Sequence, residues 1–214
     1  MTSKCLILDY GMGNLKSVSA ACEFYNIYST VSNSKIEISN CSSLILPGVG
    51  SFKKAMENLN KLNLLGDIIN HVHKKKPLLG ICLGMQLLFE ESEEFGKTEG
   101  LGLMKGKVKK FNLKKIKNQK IPHVGWSPIF KSSQKWEKTI LANIREYEKM
   151  YFVHSFFVDT DDEGIIASKT NYGGLDFCSS INKENIFATQ FHPEKSGKEG
   201  LKIYKEFGKI IKKN

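Results

Sequence analysis

The sequence predicts one α/β domain over residues 1–214, with a mostly parallel sheet, helices on both faces of that sheet and antiparallel strands at its edge. Three observations support this fold class. The chain of 214 residues is long enough for one domain with a substantial core. Short apolar runs alternate with helical segments in the first half, which is typical of parallel sheets. Strand-like runs follow one another in the second half, which indicates hairpins at a sheet edge.

Three strand–turn–helix units make up the first half. Each begins with a short apolar run and continues, after a turn that contains glycine, into a segment with apolar residues at helical spacing. In the second helix, for example, Phe52, Ala55 and Leu59 share one face. The units are predicted as strand 4–9 with helix 14–25, strand 43–46 with a helix from about residue 51, and strand 77–81 with helix 85–91.

The second half is predicted to contain several strands and one long helix. Runs rich in aromatic and β-branched residues alternate there with turn residues. The final helix, over residues 200–211, is amphipathic. The strands are predicted at residues 107–111, 151–158, 164–168, 177–181 and 186–190.

Composition and charge narrow the functional classes. The net charge is +10, but the lysines are spread along the chain without an RNA-binding signature or a basic recognition helix, so we expect a solvated surface and no nucleic-acid partner. The N-terminal apolar run soon meets Asp9, and no segment reaches the length of a membrane span, so we expect a cytoplasmic protein. The five scattered cysteines include no C-x-x-C pair, which argues against a disulfide framework or a zinc site.

Cys82 lies in the pentapeptide Gly80-Ile81-Cys82-Leu83-Gly84, between a predicted strand and a predicted helix. This pattern is typical of a nucleophile elbow, whose tight turn needs flanking glycines and holds the nucleophile in a strained conformation. The following helix would favour the thiolate of Cys82, and the amide of Leu83 would be an oxyanion donor. The alternative is that Cys82 is a small core residue at the end of a strand.

His192 is the best candidate for the base that a cysteine nucleophile needs. It follows the strand predicted at 186–190, so it is expected at the carboxyl edge of the sheet, where sites gather. Glu194 can accept a hydrogen bond from its imidazole and fix the tautomer. His71 and His73 lie at a lysine-rich helix end, where a solvated face or an interaction with the helix C-terminus is expected.

A third glycine-rich turn, Pro47-Gly48-Val49-Gly50, also follows a predicted strand. Closely spaced glycines let backbone amides point at a substrate oxygen. A plain strand-to-helix turn capped by Ser51 is the competing interpretation.

Together these motifs resemble the class I (triad) glutamine amidotransferases, which have a flavodoxin-like domain, an elbow of the form G-x-C-x-G-x-Q and a base motif of the form H-P-E. Within that class they are similar to the glutaminase subunits of imidazole glycerol phosphate synthase. The resemblance runs from the first strand to the last helix. It is carried by residues 9–14 (DYGMGN), 46–52 (LPGVGSF), 80–86 (GICLGMQ), 125–126 (GW), 151–155 (YFVHS) and 191–197 (FHPEKSG).

The resemblance implies a Cys82–His192–Glu194 triad that hydrolyses the side-chain amide of L-glutamine through a γ-glutamyl thioester. It implies that the amides of Leu83 and Val49 hold the oxyanion, the latter after a peptide rearrangement. No cofactor and no metal are implied. The same resemblance assigns glutamine binding to Gln86, Glu94 and the backbone at Gly50, Ser155 and Phe156.

The resemblance also implies a partner. Ammonia would pass to a separate (β/α)8-barrel cyclase subunit, which makes imidazole glycerol phosphate and AICAR in histidine biosynthesis. Asn14 and Trp126 match positions at that heterodimer interface. In this family the partner switches the glutaminase on.

Two departures from the family pattern leave an alternative open. Ser127 stands where Asn usually follows Gly-Trp, and Phe156 where Tyr commonly follows His-Ser. A paralogous glutaminase subunit that supplies a cyclase-like partner in surface-sugar biosynthesis is therefore the alternative function. From other classes, a stand-alone cysteine hydrolase or peptidase and a catalytically silent interaction protein are the competitors. Gln86, directly after the elbow, argues against a peptidase. The complete Cys82–His192–Glu194 set argues against a silent interaction protein, which would need none of these residues.

Overall fold

Strands and helices alternate through the first half of the chain in a computed structural model that describes residues 4–114, 116–117 and 119–213. The strands are β1 (Cys5–Leu8), β2 (Ser29–Ser32), β3 (Ser43–Leu46), β4 (Leu78–Ile81), β5 (Phe89–Ser92), β6 (Thr98–Glu99), β7 (Met104–Lys110), β8 (His123–Pro128), β9 (Phe130–Lys131), β10 (Lys149–His154), β11 (Phe156–Asp159), β12 (Ile166–Tyr172), β13 (Leu175–Lys183) and β14 (Ile186–Thr189). The helices are α1 (Leu15–Phe24), α2 (Lys35–Asn40), α3 (Phe52–Lys61), α4 (Leu65–His73), α5 (Leu83–Gln86) and α6 (Gly197–Lys213).

The main sheet has the strand order β2-β1-β3-β4-β14-β13-β12-β9 within the described residues. Pairing is parallel from β2 through β14. It is antiparallel from β14 to β9. The predicted fold class, a mostly parallel sheet with antiparallel strands at its edge, is therefore confirmed.

Helices cover both faces of this sheet. Successive strand residues point to opposite sides, so each central strand contributes to two buried clusters. Leu6 and Leu8 of β1 pack into one buried cluster with residues of α2, α3 and α4, such as Phe52. Cys5 and Ile7 pack into a second cluster with residues of α1 and α6. Burial on both faces explains why the central strands read as continuous apolar runs.

Two smaller sheets lie beside the main one in the described residues, and their strands differ from the prediction at one place. β11, β7, β5 and β6 pair in that order, and β8 pairs with β10. The single strand predicted over residues 151–158 is wrong: the chain breaks at Ser155, with β10 on one side and β11 on the other. β10 pairs with β8 while β11 pairs with β7, so the two halves belong to different sheets.

The helix predicted over residues 85–91 is also wrong. α5 is a single turn, and the chain enters β5 at Phe89. The carbonyl groups of Leu87 and Leu88 accept hydrogen bonds from the N–H groups of Leu101 and Leu103, at 2.8 and 2.9 Å, which ties them to a distant segment. A short apolar run does not by itself distinguish a buried helix from a buried strand.

Of the two roles expected for His71, the solvated face is wrong, and the ring lies in the last turn of α4. Its side chain is buried, and Nε2 lies 3.1 Å from the carbonyl oxygen of Pro77. Burial lowers the pKa of His71 to about 4, so the ring is neutral at physiological pH. This histidine therefore links the end of α4 to the start of β4.

None of the helices in the described residues combines the length and the apolar character that crossing a bilayer requires.

A close backbone approach between α5 and β3 supports the first testable prediction. A Cβ atom on Gly84 would lie 1.8 Å from the carbonyl oxygen of Leu46, so we expect Gly84→Ala to cost at least about 3 kcal/mol of folding free energy. The matched control is Gly66→Ala in α4, where a Cβ meets nothing within 4 Å and a gain of up to about 1 kcal/mol is expected. Urea denaturation would measure both, and equal stability of the two variants would contradict the prediction.

Candidate active site

Cys82 occupies a strained turn between β4 and α5. Its φ of 54° and ψ of −108° are unusual for a residue with a side chain. Its N–H donates to the carbonyl oxygen of Thr189 at 2.7 Å, which anchors the turn to β14. Such a conformation costs on the order of 1–3 kcal/mol and persists only where the surroundings enforce it. The structure thus has the strained elbow that the glycine pattern predicts.

His192 and Glu194 lie just beyond β14, at the carboxyl edge of the parallel strands. Nδ1 of His192 is 2.8 Å from Oε1 of Glu194, and both side chains are almost completely buried. The N–H of His192 donates to the carbonyl oxygen of Tyr151 at 2.9 Å. The carbonyl of His192 accepts from the hydroxyl of Ser196 at 2.7 Å. Backbone and side-chain bonds therefore hold the imidazole in one orientation.

The charge state of His192 follows from its neighbours. Burial would lower its pKa, but the charge of Cys82, a hydrogen bond with Cys82 and the carboxylate of Glu194 together raise it to about 10. Nε2 is buried and has no partner at ordinary hydrogen-bond distance among the described residues, so it is the nitrogen available to the Cys82 sulfur. The imidazole is therefore protonated near neutral pH, with Nδ1 paired to Glu194 and Nε2 free for a reacting group.

Gln190 is a site residue that the sequence reasoning missed. It is completely buried at the end of β14, and its Nε2 lies 3.7 Å from Sγ of Cys82. Its Oε1 accepts from Nε2 of Gln86 at 2.9 Å. The available signal was its position directly after an apolar strand and two residues before His192.

A cavity of about 530 Å³ opens beside the Cys82 thiol. All of the residues that the family resemblance assigns to glutamine binding and the oxyanion hole line this cavity, whereas His192 and Glu194 are not among its lining residues. Sequence reasoning gave the remaining lining residues no role. The first group is Val49, Gly50, Cys82, Leu83, Gln86, Glu94, Ser155 and Phe156, and the second is Phe95, Lys110, Ile121, Pro122, Val153 and His154.

Glu94 and Lys110 give the cavity charges of opposite sign. The Glu94 carboxylate accepts a hydrogen bond from the N–H of Phe52 at 2.5 Å, at the start of α3. This bond fixes one oxygen of the carboxylate and leaves the other for a cationic group. Lys110, at the end of β7, lies beside Phe156 in the β7–β11 register.

Asn14 and Trp126 are placed apart from the cavity lining. Asn14 is exposed, and its side-chain oxygen accepts from the N–H of Ser17 at 3.3 Å, which caps α1. Trp126 is 53% exposed on β8, next to Val124, which is 55% exposed. Val124 faces Val153 of β10 in the strand register, and Val153 lines the cavity. An exposed apolar surface therefore adjoins the cavity.

No group of three or more histidine, cysteine, aspartate or glutamate side chains in the described part of the chain has a geometry that would hold a metal ion. The other cysteines, Cys5, Cys22, Cys41 and Cys178, are free and buried.

Comparison with known proteins identifies the family. The family model for class I glutamine amidotransferases matches residues 6–210. The chain belongs to this family. It is therefore an enzyme, a glutamine amidotransferase.

The relatives within the family cover the chain almost completely. The chain is 46% identical to imidazole glycerol phosphate synthase subunit HisH of Aquifex aeolicus, with 98% of each chain covered. It is 47% identical to the HisH subunit of Methanocaldococcus jannaschii, with 96% of this chain and 98% of the relative covered.

Two solved structures share the fold. PurLQS from Thermotoga maritima matches with a TM-score of 0.74 at 18% identity, over 99% of this chain and 100% of the other. The glutaminase domain of CTPS from Trypanosoma brucei matches with a TM-score of 0.69 at 14% identity, over 100% of this chain and 95% of the other. At these identities the likeness shows the fold alone.

The charge of His192 supplies a prediction. Without the sulfur, in Cys82→Ala, the pKa of His192 should fall from about 10 toward or below its ordinary value of 6.5, because burial is then opposed by Glu194 alone. An NMR pH titration of the ring would measure this shift. Cys178→Ala, which removes a buried thiol that has no part in the shift, should leave the titration near 10. An unchanged midpoint in Cys82→Ala would show that Cys82 does not stabilise the imidazolium.

Proposed function

We propose that this chain is the glutaminase subunit of imidazole glycerol phosphate synthase. It would hydrolyse L-glutamine to glutamate and ammonia, and a cyclase subunit would use the ammonia to make imidazole glycerol phosphate and AICAR in histidine biosynthesis. The observation that carries the proposal is the strained Cys82 beside the cavity, close enough to the His192–Glu194 pair to raise the pKa of the imidazole. The HisH names of the relatives favour this function over the surface-sugar alternative.

The first half of the reaction forms a thioester. The Cys82 thiolate attacks the side-chain amide carbon of glutamine, a C–S bond forms, and the carbonyl electron pair moves to oxygen. The amides of Leu83 and Val49 would donate hydrogen bonds to this oxyanion. His192 then gives its Nε2 proton to the amide nitrogen, the C–N bond breaks, and ammonia leaves. The γ-glutamyl thioester and a neutral imidazole remain.

The second half regenerates the enzyme. Neutral His192 takes a proton from water as the water oxygen attacks the thioester carbonyl. Collapse of the second tetrahedral intermediate breaks the C–S bond, which releases glutamate and returns the thiolate beside an imidazolium. Glu194 stays ionised and holds the Nδ1 proton of His192 throughout.

The cavity charges suggest how glutamine is held. The free oxygen of the Glu94 carboxylate would bind the α-ammonium group, with Gln86 and the backbone at Gly50, Ser155 and Phe156 completing the site. Lys110 would attract the negatively charged α-carboxylate, because it brings a positive charge to the cavity lining.

The partner would dock on the exposed apolar surface beside the cavity. Trp126, Val124 and Val153 form part of that surface, and large exposed apolar residues that adjoin one another are typical of interaction sites. A (β/α)8-barrel cyclase bound there, with Asn14 and Trp126 at the contact, would cover the cavity and receive ammonia directly.

Residues 1–214 would act as one domain because β14, near the C-terminus, pairs with β4 and completes the sheet begun by the first strands. The cytoplasmic location expected from the sequence stays a prediction.

Replacing the nucleophile tests the proposed function. In the complex with a cyclase subunit, Cys82→Ala should reduce glutamine hydrolysis by at least about 1,000-fold, because no other described group can form the thioester. Cyclase activity driven by added ammonium salt should survive, since that reaction needs no thiol. Cys178→Ala is the matched control and should hydrolyse glutamine normally. Hydrolysis that persists in Cys82→Ala would refute the proposal.

The role of Lys110 supplies a separate prediction. Lys110→Met should raise KM for glutamine about tenfold with little change in kcat, because the lost attraction acts on binding. Lys109→Met is the matched control, since Lys109 on the same strand pairs with Asp159 outside the cavity. Equal KM values in the two variants would remove Lys110 from the glutamine site.

A further inference from the structure

A continuous chain of hydrogen bonds connects the β8 surface to the interior of the site. Oγ of Ser127 lies 2.8 Å from Nε2 of His123. Nδ1 of His123 lies 3.0 Å from Nε2 of His154, whose Nδ1 lies 2.8 Å from the carbonyl oxygen of Phe156. Neither histidine belongs to the triad, and both are buried.

The same carbonyl connects this chain to the nucleophile. Nε2 of Gln86 lies 2.9 Å from the Phe156 oxygen and 2.9 Å from Oε1 of Gln190. Nε2 of Gln190 in turn lies 3.7 Å from Sγ of Cys82. Six hydrogen bonds thus lead from an exposed strand to the reactive sulfur within the described residues.

The direction of each bond follows from the Phe156 carbonyl, which can only accept. Nδ1 of His154 must therefore carry a proton, so its Nε2 accepts from Nδ1 of His123, and the other nitrogen of His123 accepts from the Ser127 hydroxyl. Burial lowers the pKa of His123 to about 4 and that of His154 to about 3, so each ring is neutral and has one donor and one acceptor.

The side-chain amides on the other side are oriented by the same carbonyl. Gln86 must turn its NH₂ group toward the Phe156 oxygen, and that group also donates to Oε1 of Gln190. Gln190 is thereby obliged to present its own NH₂ group to Cys82. The reversed amide would place an oxygen against the sulfur and would repel a thiolate.

We propose that His123 and His154 are positioning residues for Cys82, which act through the Phe156 carbonyl and the Gln86–Gln190 pair to keep an N–H donor on the sulfur. The histidine pair holds the His154 tautomer that donates to the carbonyl. Without the bond from His123, His154 is free to protonate at Nε2 and to turn a lone pair toward the Phe156 oxygen. The carbonyl would then move, and the orientation of both glutamine side chains would no longer be fixed.

The central test breaks the chain at His123. His123→Leu removes both ring nitrogens, and His123→Gln restores one donor and one acceptor. In the full-length chain, iodoacetamide should alkylate Cys82 about tenfold more slowly in His123→Leu, with most of the rate recovered in His123→Gln. In the complex with a cyclase subunit, kcat for glutamine hydrolysis should fall about tenfold while KM stays within about twofold, because Glu94 keeps its place.

A packing control separates positioning from general loosening. Phe111 packs against the rings of His123 and His154, at centroid distances of 6.5 and 5.2 Å, but its side chain adds no hydrogen bond. Phe111→Leu should lower the melting temperature without slowing alkylation. If Phe111→Leu slows alkylation as much as His123→Leu, or if His123→Leu leaves alkylation unchanged, the proposal is overturned.

Ser127, at the outer end of the hydrogen-bond chain, offers a second test should His123→Leu fail to fold. Ser127→Ala removes the first donor, and alkylation should slow about twofold to threefold, whereas Ser127→Asn supplies an N–H donor and should restore the rate. An unchanged rate in Ser127→Ala would overturn the proposal. The alkylation measurements do not depend on the proposed function, and only the kcat and KM measurements rest on it. A wild-type complex without glutaminase activity would therefore refute the function while leaving this inference to be judged on alkylation.

Discussion

The parallel pairing of β4 with β14 is the constraint on which the site depends. In this register Thr189 lies beside Ile81, so the chain leaves both strands at the same edge. The bond from the Cys82 N–H to the Thr189 carbonyl continues the ladder by one step, into the strained turn. Gln190 and His192 then emerge next to Cys82 although more than 100 residues separate them along the chain. A slip of one residue would turn these side chains to the opposite face of the sheet.

In the proposed mechanism, the charge beside Cys82 comes from the His192–Glu194 pair more than from the dipole of α5. The sequence favoured a helix dipole at Cys82, but α5 has only one turn, and a macrodipole needs many aligned peptide units. The buried His192–Glu194 pair takes over that role, because an imidazolium in a site of low dielectric attracts a neighbouring anion strongly. The same buried charge would be costly without a partner, and the Glu194 carboxylate supplies one at 2.8 Å.

Local patterns predicted what depends on neighbours in sequence. The alternation of Leu6 and Ile7 between two helix-covered faces, and the strained conformation of Cys82, both follow from short stretches of sequence. The path after α5 did not, because β5 forms only when residues near Leu101 supply its partners. Burial of His71 could not be predicted either, because Sγ of Cys41, which lies 3.7 Å from Nδ1 of His71, is 30 residues away along the chain.

The site residues also divide into those that local sequence predicts and those that contacts between distant segments define. Motif spacing pointed to Cys82, His192 and Glu194, whereas Gln190 and the His123–His154 pair are defined by contacts between distant strands, which spacing does not reveal. Ser127 was seen only as a departure from the family pattern. In the fold it lies at the half-buried end of a buried polar chain, next to Trp126 in sequence.

The position of Ser127 connects the exposed surface at Trp126 with the cavity at Cys82. A partner that covers Trp126 would press on β8, whose opposite face carries the Ser127 hydroxyl and, through its hydrogen bond, sets the tautomer of His123. Buried polar networks respond as units, because each neutral imidazole must donate and accept once. A change at the surface would therefore reach the Cys82 sulfur through proton positions and a shift of the Phe156 carbonyl, without any rearrangement of the main sheet.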